Sequence, residues 1–102
     1  MKASVIIRTS IKLIRKYGWT QHRRVNSDGC MCVLGAMVRA TLDSSGDDQW
    51  VEAVEAIKSA VGDNNYTSPF YIANWNDDVG QTRANVLRTL GKAARALERE
   101  GR

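Results

Sequence analysis

The chain has 102 residues and a mass of 11.3 kDa, which suits one domain and excludes a catalytic domain with a separate regulatory domain. Apolar residues make up 43% and charged residues 25%, an ordinary globular composition that excludes wholesale disorder. No apolar run approaches the roughly 18 residues that a bilayer span needs, and Arg8 and Lys12 interrupt the N-terminal apolar stretch. We therefore expect a single globular domain in the cytoplasm, with no membrane partner and no cofactor.

The net charge of +4 is unevenly distributed along the chain. Residues 1–39 sum to +7, residues 40–80 to −7 and residues 81–102 to +4. In one arrangement the acidic middle packs beside the basic ends and the fields largely cancel. In the other, the basic ends meet on one face and attract anions. The first is the more ordinary arrangement, because a modest net charge does not require a nucleic-acid partner.

Hydrophobic periodicity predicts a first helix over residues 3–17. Ile7, Ile11 and Ile14 recur at i, i+4 and i+7 and define its buried face. Gly18 follows as a residue able to adopt the backbone conformation that ends helices.

A turn-forming run, Asn-Ser-Asp-Gly at residues 26–29, separates two short apolar segments. Residues 19–25 and 30–33 therefore fit the two strands of a hairpin. An irregular loop fits nearly as well, since an isolated hairpin is weak without a surface to cover.

Two further helices follow this insert. The second is predicted over residues 32–42 and ends before the break at residues 44–46. Asp47 suits the N-cap of the third helix, which ends at the turn-forming residues 62–65. The apolar stripe of the third helix consists of Trp50, Val51, Val54, Ile57, Ala60 and Val61.

A short helical turn and a last helix complete the chain. Ser68 followed by proline is typical of a helix start, which predicts a helical turn over residues 69–75. Thr82 caps the last helix, which runs to about residue 98 with Leu87, Leu90, Ala94 and Leu97 facing inward. The predicted fold is a mainly α, four-helix single domain over residues 1–102, with a short hairpin or a loop between the first two helices.

The last helix carries a basic stripe at i, i+4, i+7 and i+11, formed by Arg88, Lys92, Arg95 and Arg99. Such a stripe is most often a solvated face whose long stems cover the edge of the core. It is also typical of a surface that follows phosphates or an acidic partner. The candidate nucleic-acid surface adds further basic residues, namely Arg8, Lys12, Arg15, Arg23 and Arg24. Trp19 could stack a base beside the last two, although a core lid is the more usual role.

The two cysteines, Cys30 and Cys32, are separated by one residue, and His22 is the single histidine. A closed zinc site needs four ligands, so we predict no metal. Cys32 at a helix N-terminus is a weak candidate for a reactive thiolate, with His22 as base and Asn76 or Asp77 as the orienting group. We favour a reduced, buried Cys32 that opens the second helix, and we predict no catalytic residue.

The run from Asn74 to Gly80 is rich in side-chain oxygens. Its ordinary interpretation is an Asx-type turn, anchored by Trp75, that leads into the last helix. The alternative is a ligand pocket lined by Trp75, Asn76 and Asp77, since buried polar side chains require partners.

The sequence contains several short motifs, namely Gly18-Trp19, Cys32-x-x-Gly35-Ala36, Ile72-Ala73-x-Trp75-Asn76-Asp77, Gly80-x-Thr82 and Val86-Leu87. Together they resemble an uncharacterised family of small proteins found in actinobacteria and in the phages that infect them. The resemblance implies that Cys32, Trp75, Asn76 and Asp77 belong to a shared framework or site, and it carries no activity. Cys30, Arg23 and Arg24 lie outside these motifs.

No catalytic set, phosphate-binding loop or nucleotide fingerprint is present in the sequence. The leading hypothesis is therefore a non-enzymatic interaction module, a phage-encoded accessory protein that binds a host protein in the host cytoplasm. One alternative is nucleic-acid binding through the basic helix faces. The other is a small-molecule or thiol-dependent pocket around Cys32 and residues 75–77. The sequence predicts no particular oligomeric state.

Overall fold

The computed structural model describes residues 1–42, 47–62 and 70–102. In chain order, these residues form the helices α1 (Ala3–Tyr17), α2 (Val33–Ala40), α3 (Asp47–Val61), α4 (Tyr71–Asn76) and α5 (Arg83–Arg99). The mainly helical class is therefore confirmed. The predicted count of four is wrong, because the segment expected to be a helical turn forms α4, so the described residues contain five helices.

The core is built around α1, which packs against α2, α3 and α5. Ile6, Ile7 and Ile14 of α1 are fully buried and meet Val86 and Leu90 of α5 in the same apolar cluster. Residues branched at Cβ have modest helix propensity, so tertiary burial rather than intrinsic preference stabilises α1. The smaller α4 is attached to this core through α2.

The ends of α1 and α5 follow the predicted capping chemistry. Gly18 has a φ of 101°, and its N–H donates to the Ile14 carbonyl at 2.8 Å. Thr82 Oγ1 accepts a hydrogen bond from the Asn85 backbone N–H at 3.1 Å, which caps α5. Each end thus satisfies backbone groups that a helix terminus would otherwise leave unpaired.

Two predictions on α3 need correction. Asp47 is the first residue of α3 rather than the cap that precedes it. Val51, placed in the apolar stripe, is 56% exposed, because the buried face of α3 is centred on Ala53 and Ile57. The predicted breaks at residues 44–46 and 63–65, and the helix start at residues 68–69, lie outside the described residues.

The segment between α1 and α2, which we call loop 18–32, does not form the predicted hairpin. Its pairing is limited to two isolated bridges, in which Met31 faces both Trp19 and Val25. The Met31 N–H donates to the Gly18 carbonyl at 2.8 Å, and the Met31 carbonyl accepts from Thr20 at 3.1 Å. Met31 is buried, so this segment folds inward onto the core instead of extending as a two-stranded ribbon.

Candidate functional site

Asn76, the last residue of α4, is fully buried and uses every hydrogen-bonding position of its side-chain amide. Its Oδ1 accepts from Trp19 Nε1 at 2.7 Å and from the Val33 backbone N–H at 3.0 Å. Its Nδ2 donates to the Thr20 carbonyl at 3.1 Å and to Asp77 Oδ1 at 2.9 Å. A primary amide offers two donors and two lone pairs, so these four bonds saturate it. We call Asn76 and these four partners the asparagine cluster.

Further hydrogen bonds between side chains and backbone groups attach loop 18–32 to the end of α4. Gln21 Nε2 donates to the carbonyls of Asn76 at 3.1 Å and Asp78 at 3.0 Å. Asp77 Oδ1 accepts a further bond, at 2.8 Å, from the backbone N–H of His22. His22 has a φ of 70°, an unfavourable conformation for a residue with a Cβ, and this bond to a carboxylate helps to hold it.

Cys32 serves as the N-cap of α2 and is buried. Its Sγ accepts a hydrogen bond from the Gly35 N–H at 3.3 Å, and its own N–H donates to the Arg24 carbonyl at 3.1 Å. A Cβ at Gly35 would overlap the carbonyl oxygen of Arg24, so only glycine allows the loop to lie this close to α2. Burial raises the pKa of the Cys32 thiol, the opposite of the shift that a nucleophile at a helix N-terminus requires.

The residues considered for a thiol triad are only partly brought together. His22 Nδ1 lies 3.9 Å from Asp77 Oδ2, but the imidazole is largely exposed, and the Cys32 thiol accepts a hydrogen bond from Gly35 instead of contacting His22.

Among the described residues, no group of three His, Cys, Asp or Glu side chains could hold a metal ion. Asn76 lies beside the start of α2, where Cys32 is the N-cap, but its side-chain amide already forms four hydrogen bonds within the protein.

A second candidate site is a groove between α1 and α5, with a volume of about 350 Å³. Four arginines line it: Arg8 and Arg15 from α1, and Arg88 and Arg95 from α5. Its remaining lining is apolar and consists of Ile11, Ala84, Leu87 and Gly91. We call this feature the arginine groove, and it joins basic residues that are up to 87 positions apart in the sequence.

Neighbouring side chains orient the arginines of this groove. A Cβ at Gly91 would lie 3.3 Å from Arg95 Nη1, so the missing side chain leaves space for that guanidinium over α5. Arg88 Nη2 donates to Asn85 Oδ1 at 2.9 Å. Arg8 forms a two-bond pair with Glu98, with Nε to Oε2 at 3.0 Å and Nη2 to Oε1 at 2.8 Å.

The basic stripe predicted on α5 borders more than one groove. Arg88 and Arg95 line the arginine groove, whereas Lys92 and Arg99 line a groove of about 270 Å³ that also contains Glu52 of α3. Arg88 and Lys92 also line a groove of about 360 Å³ beside Trp75. Within the stripe, Arg88 and Arg95 are therefore the two residues that line the arginine groove.

All four arginines belong to the nucleic-acid surface that the sequence predicts, and Ile11 and Leu87 of the groove belong to predicted apolar faces. Arg23 and Arg24 are also part of that predicted surface, but they are exposed on loop 18–32 and do not line the groove. The predicted surface does not include Glu98, the partner of Arg8, although the sequence contains a signal for it. It is the single acidic residue of α1 and α5, which together carry nine lysines and arginines.

The fold and these two sites describe the protein as a small, mainly helical domain with an arginine-lined groove and a buried asparagine cluster. The chain belongs to DUF6197, a family of unknown function, and the match spans residues 1–96. This confirms the expectation of an uncharacterised family. No curated protein and no solved structure matches the chain. Among the helices of the described ranges, none combines the length and the apolar character needed to cross a membrane.

Proposed function

We propose that this protein is a non-enzymatic binding module that recognises the phosphate backbone of a nucleic acid through the arginine groove. The observation that carries the proposal is the convergence of four arginines, from two helices, on one groove. Sequence reasoning gave nucleic-acid binding as an alternative to a protein partner. The placement of Arg8 and Arg15 opposite Arg88 and Arg95 favours it.

The chemistry of the groove suits phosphate. Guanidinium groups donate in a planar fork that matches two phosphate oxygens, and all four cations lining the groove are arginines rather than lysines. The rest of the lining is apolar, so the arginine side chains supply the charged donors of the groove. They can therefore offer forked donors to a chain of anions.

The spacing of the arginines supports a repeating anion. Arg8 and Arg15 are seven residues apart on α1, and Arg88 and Arg95 are seven apart on α5, which places each pair about 10 Å apart along its helix. A nucleic-acid strand carries a regular row of charges, one per about 3.4 Å of axis in a duplex, so arginines about 10 Å apart can contact different phosphates of one strand. A polymer of regular charge can therefore contact both ends of the groove.

The test compares two double variants of α5, one of which removes two cations that line the arginine groove and one of which removes two that do not. Arg88→Gln/Arg95→Gln alters the arginine groove, and Lys92→Gln/Arg99→Gln is the matched control, with the same spacing and the same loss of two charges. Fluorescence anisotropy with labelled single-stranded and duplex DNA and RNA measures affinity against salt concentration. Circular dichroism and thermal melting verify that both variants fold.

We expect the wild type to bind with an affinity that falls steeply with salt. The Arg88→Gln/Arg95→Gln variant should lose most of that affinity, and its log–log salt slope should decrease by about 1.4–1.8, or about 0.7–0.9 per phosphate contact. The Lys92→Gln/Arg99→Gln variant should stay close to wild type. No binding by the wild type, or equal losses in both variants, would contradict the proposal.

A protein partner remains a second candidate function because of one apolar surface. A groove of about 340 Å³ is lined by residues of α2, α3 and α4, including Leu34, Trp50 and Val54, with Phe70 beside them at 65% exposure. Large exposed apolar side chains around a groove are typical of protein contacts. A pull-down from host lysate after nuclease treatment, with Phe70→Ser as the comparison, tests this function. A specific partner that binds the wild type and not the variant would support it.

The biological setting belongs to the same proposal. The resemblance to small proteins of actinobacteria and their phages supports a phage-encoded accessory protein that acts in the host cytoplasm. Nucleic acid is then the partner that the charges favour, and a host protein is the partner that the apolar groove favours. The thiol-dependent pocket gains no such support, because the Cys32 thiol is buried and bonded to Gly35.

A further inference from the structure

Glu98 is the ion-pair partner of Arg8, one of the four arginines that line the arginine groove. Its two oxygens bond to Arg8 Nε at 3.0 Å and Nη2 at 2.8 Å, in the forked geometry that a guanidinium also uses for phosphate. The pair is only half-exposed, at 41% for Arg8 and 44% for Glu98. The carboxylate thus uses the donors of Arg8 that a bound phosphate would need.

The two ends of the groove differ in charge as a result. The guanidinium of Arg8, with a smaller contribution from Arg95, holds the pKa of Glu98 below its ordinary range, so the carboxylate is charged at neutral pH. At the other end, Arg15 and Arg88 form no ion pair with any residue of the described ranges. The Arg15 end therefore attracts anions more strongly than the Arg8 end.

We propose that Glu98 competes with phosphate for Arg8, so that the wild-type groove binds nucleic acid mainly at the Arg15–Arg88 end. Arg8 then stays paired with Glu98 instead of contacting a phosphate. This inference rests on the proposed nucleic-acid function and assigns Glu98 as a residue that limits affinity. Loss of the Glu98 charge would release Arg8 for one more phosphate contact. The ligand would still be a nucleic acid, and only the affinity and the number of phosphates contacted would change.

The decisive variant is Glu98→Gln, which keeps the shape and removes the charge. Glu100→Gln is the matched control, because Glu100 also pairs with an arginine, Arg102 at 2.8 Å, and Arg102, unlike Arg8, does not line the arginine groove. Both variants raise the net charge by one. The double variant Arg8→Gln/Glu98→Gln returns the net charge to that of the wild type and removes the arginine that would be released.

At about 50 mM salt, Glu98→Gln should bind a labelled oligonucleotide about two- to fivefold more tightly than wild type, the effect of one exposed ion pair. Its salt slope should steepen by about 0.7–0.9. Glu100→Gln should change affinity by less than half as much, and the double variant should return to the wild-type value. Thermal melting should show Glu98→Gln no more stable than wild type, so a general gain in stability does not explain tighter binding.

The outcomes separate this inference from the function on which it rests. If neither wild type nor Glu98→Gln binds any oligonucleotide, the proposed function fails. If the wild type binds through the groove but Glu98→Gln binds equally, or gains no more than Glu100→Gln, only the competitor role fails. A gain that persists in Arg8→Gln/Glu98→Gln would also overturn it, because Arg8 would not be the group released.

Discussion

Replacement of Asn76 by alanine should destabilise the protein more than an ordinary substitution of a polar residue. The change removes all four side-chain hydrogen bonds of the asparagine cluster. It leaves the Val33 N–H buried without its acceptor, and it also deprives Trp19 Nε1 and the Thr20 carbonyl of their partner. Loop 18–32 and the start of α2 then lose their attachment to α4.

The magnitude follows from the burial of each group left behind. An unsatisfied buried N–H costs about 1–3 kcal/mol, and each of two partly buried groups that can regain water loses about 0.5–1.5 kcal/mol. We therefore expect Asn76→Ala to lower the free energy of unfolding by about 2–6 kcal/mol, out of about 5–15 kcal/mol for a domain. Urea titration followed by far-UV circular dichroism should show a midpoint lower by about 1.3–4 M, for a slope of about 1.5 kcal/mol per M.

Asn76→Asp tests the same reasoning with a side chain of the same shape. One oxygen can still accept from Trp19 and Val33, but the other replaces a donor and faces two acceptors, the Thr20 carbonyl and the Asp77 carboxylate. At neutral pH this variant should be at least as unstable as Asn76→Ala, and acidification should recover part of the loss because a protonated carboxyl donates again. A loss below about 1 kcal/mol in Asn76→Ala would refute the assigned role of the cluster.

Three further predictions concern residues beside this cluster and the arginine groove. Burial raises the pKa of the Cys32 thiol in the folded protein, so the neutral thiol contributes to the free energy of unfolding. This contribution is fully present below the ordinary thiol pKa of about 8.5 and is lost as the pH rises through the raised pKa of the folded state. Thermal melting should therefore fall more steeply above about pH 8.5 in wild type than in Cys32→Ser, and equal slopes would contradict the buried thiol. Gly35→Ala should destabilise the protein by about 1–3 kcal/mol, because the new Cβ overlaps the Arg24 carbonyl, whereas Gly91→Ala should stabilise α5 by up to about 1 kcal/mol. Urea unfolding measures the change in unfolding free energy for each variant, and changes of the same sign would be inconsistent with these contacts. His22→Gly should be about 1 kcal/mol more stable than His22→Ala in the same assay, because only glycine tolerates the positive φ at no cost, and no difference would argue against that backbone strain.

The parts of the fold that local sequence determines were predictable. The isoleucine repeat defined α1 over residues 3–17, and Thr82 defined the start of α5. These features depend on neighbours within four residues, where helical periodicity and capping chemistry operate. Val51 was misplaced because its face of α3 is turned away from the core, which only the tertiary packing of α3 determines.

Loop 18–32 and the sites were predictable only in part, because their partners are distant in the chain. The bonds from Asn76 reach back 56 and 57 residues to Thr20 and Trp19, so the turn signal at residues 26–29 could not reveal what fixes the flanking segments. The motifs predict a shared framework or site for Cys32, Trp75, Asn76 and Asp77, but the sequence does not reveal that the Asn76 amide forms four hydrogen bonds. Similarly, the stripe on α5 was visible, but its pairing with Arg8 and Arg15 requires the packing of α1 against α5.

The hydrogen bond from the Val33 N–H to Asn76 has a consequence for local unfolding. Val33 is the first residue of α2, and its N–H is bonded to a side chain 43 positions further along the chain. A helix of eight residues is unstable alone, so α2 depends on its packing against α1 and on docking of α4, which also offsets the entropic cost of closing a chain segment this long. We therefore expect loop 18–32 and the start of α2 to open together with α4, so that the amides of Val33 and His22 exchange with solvent at a rate set by release of α4.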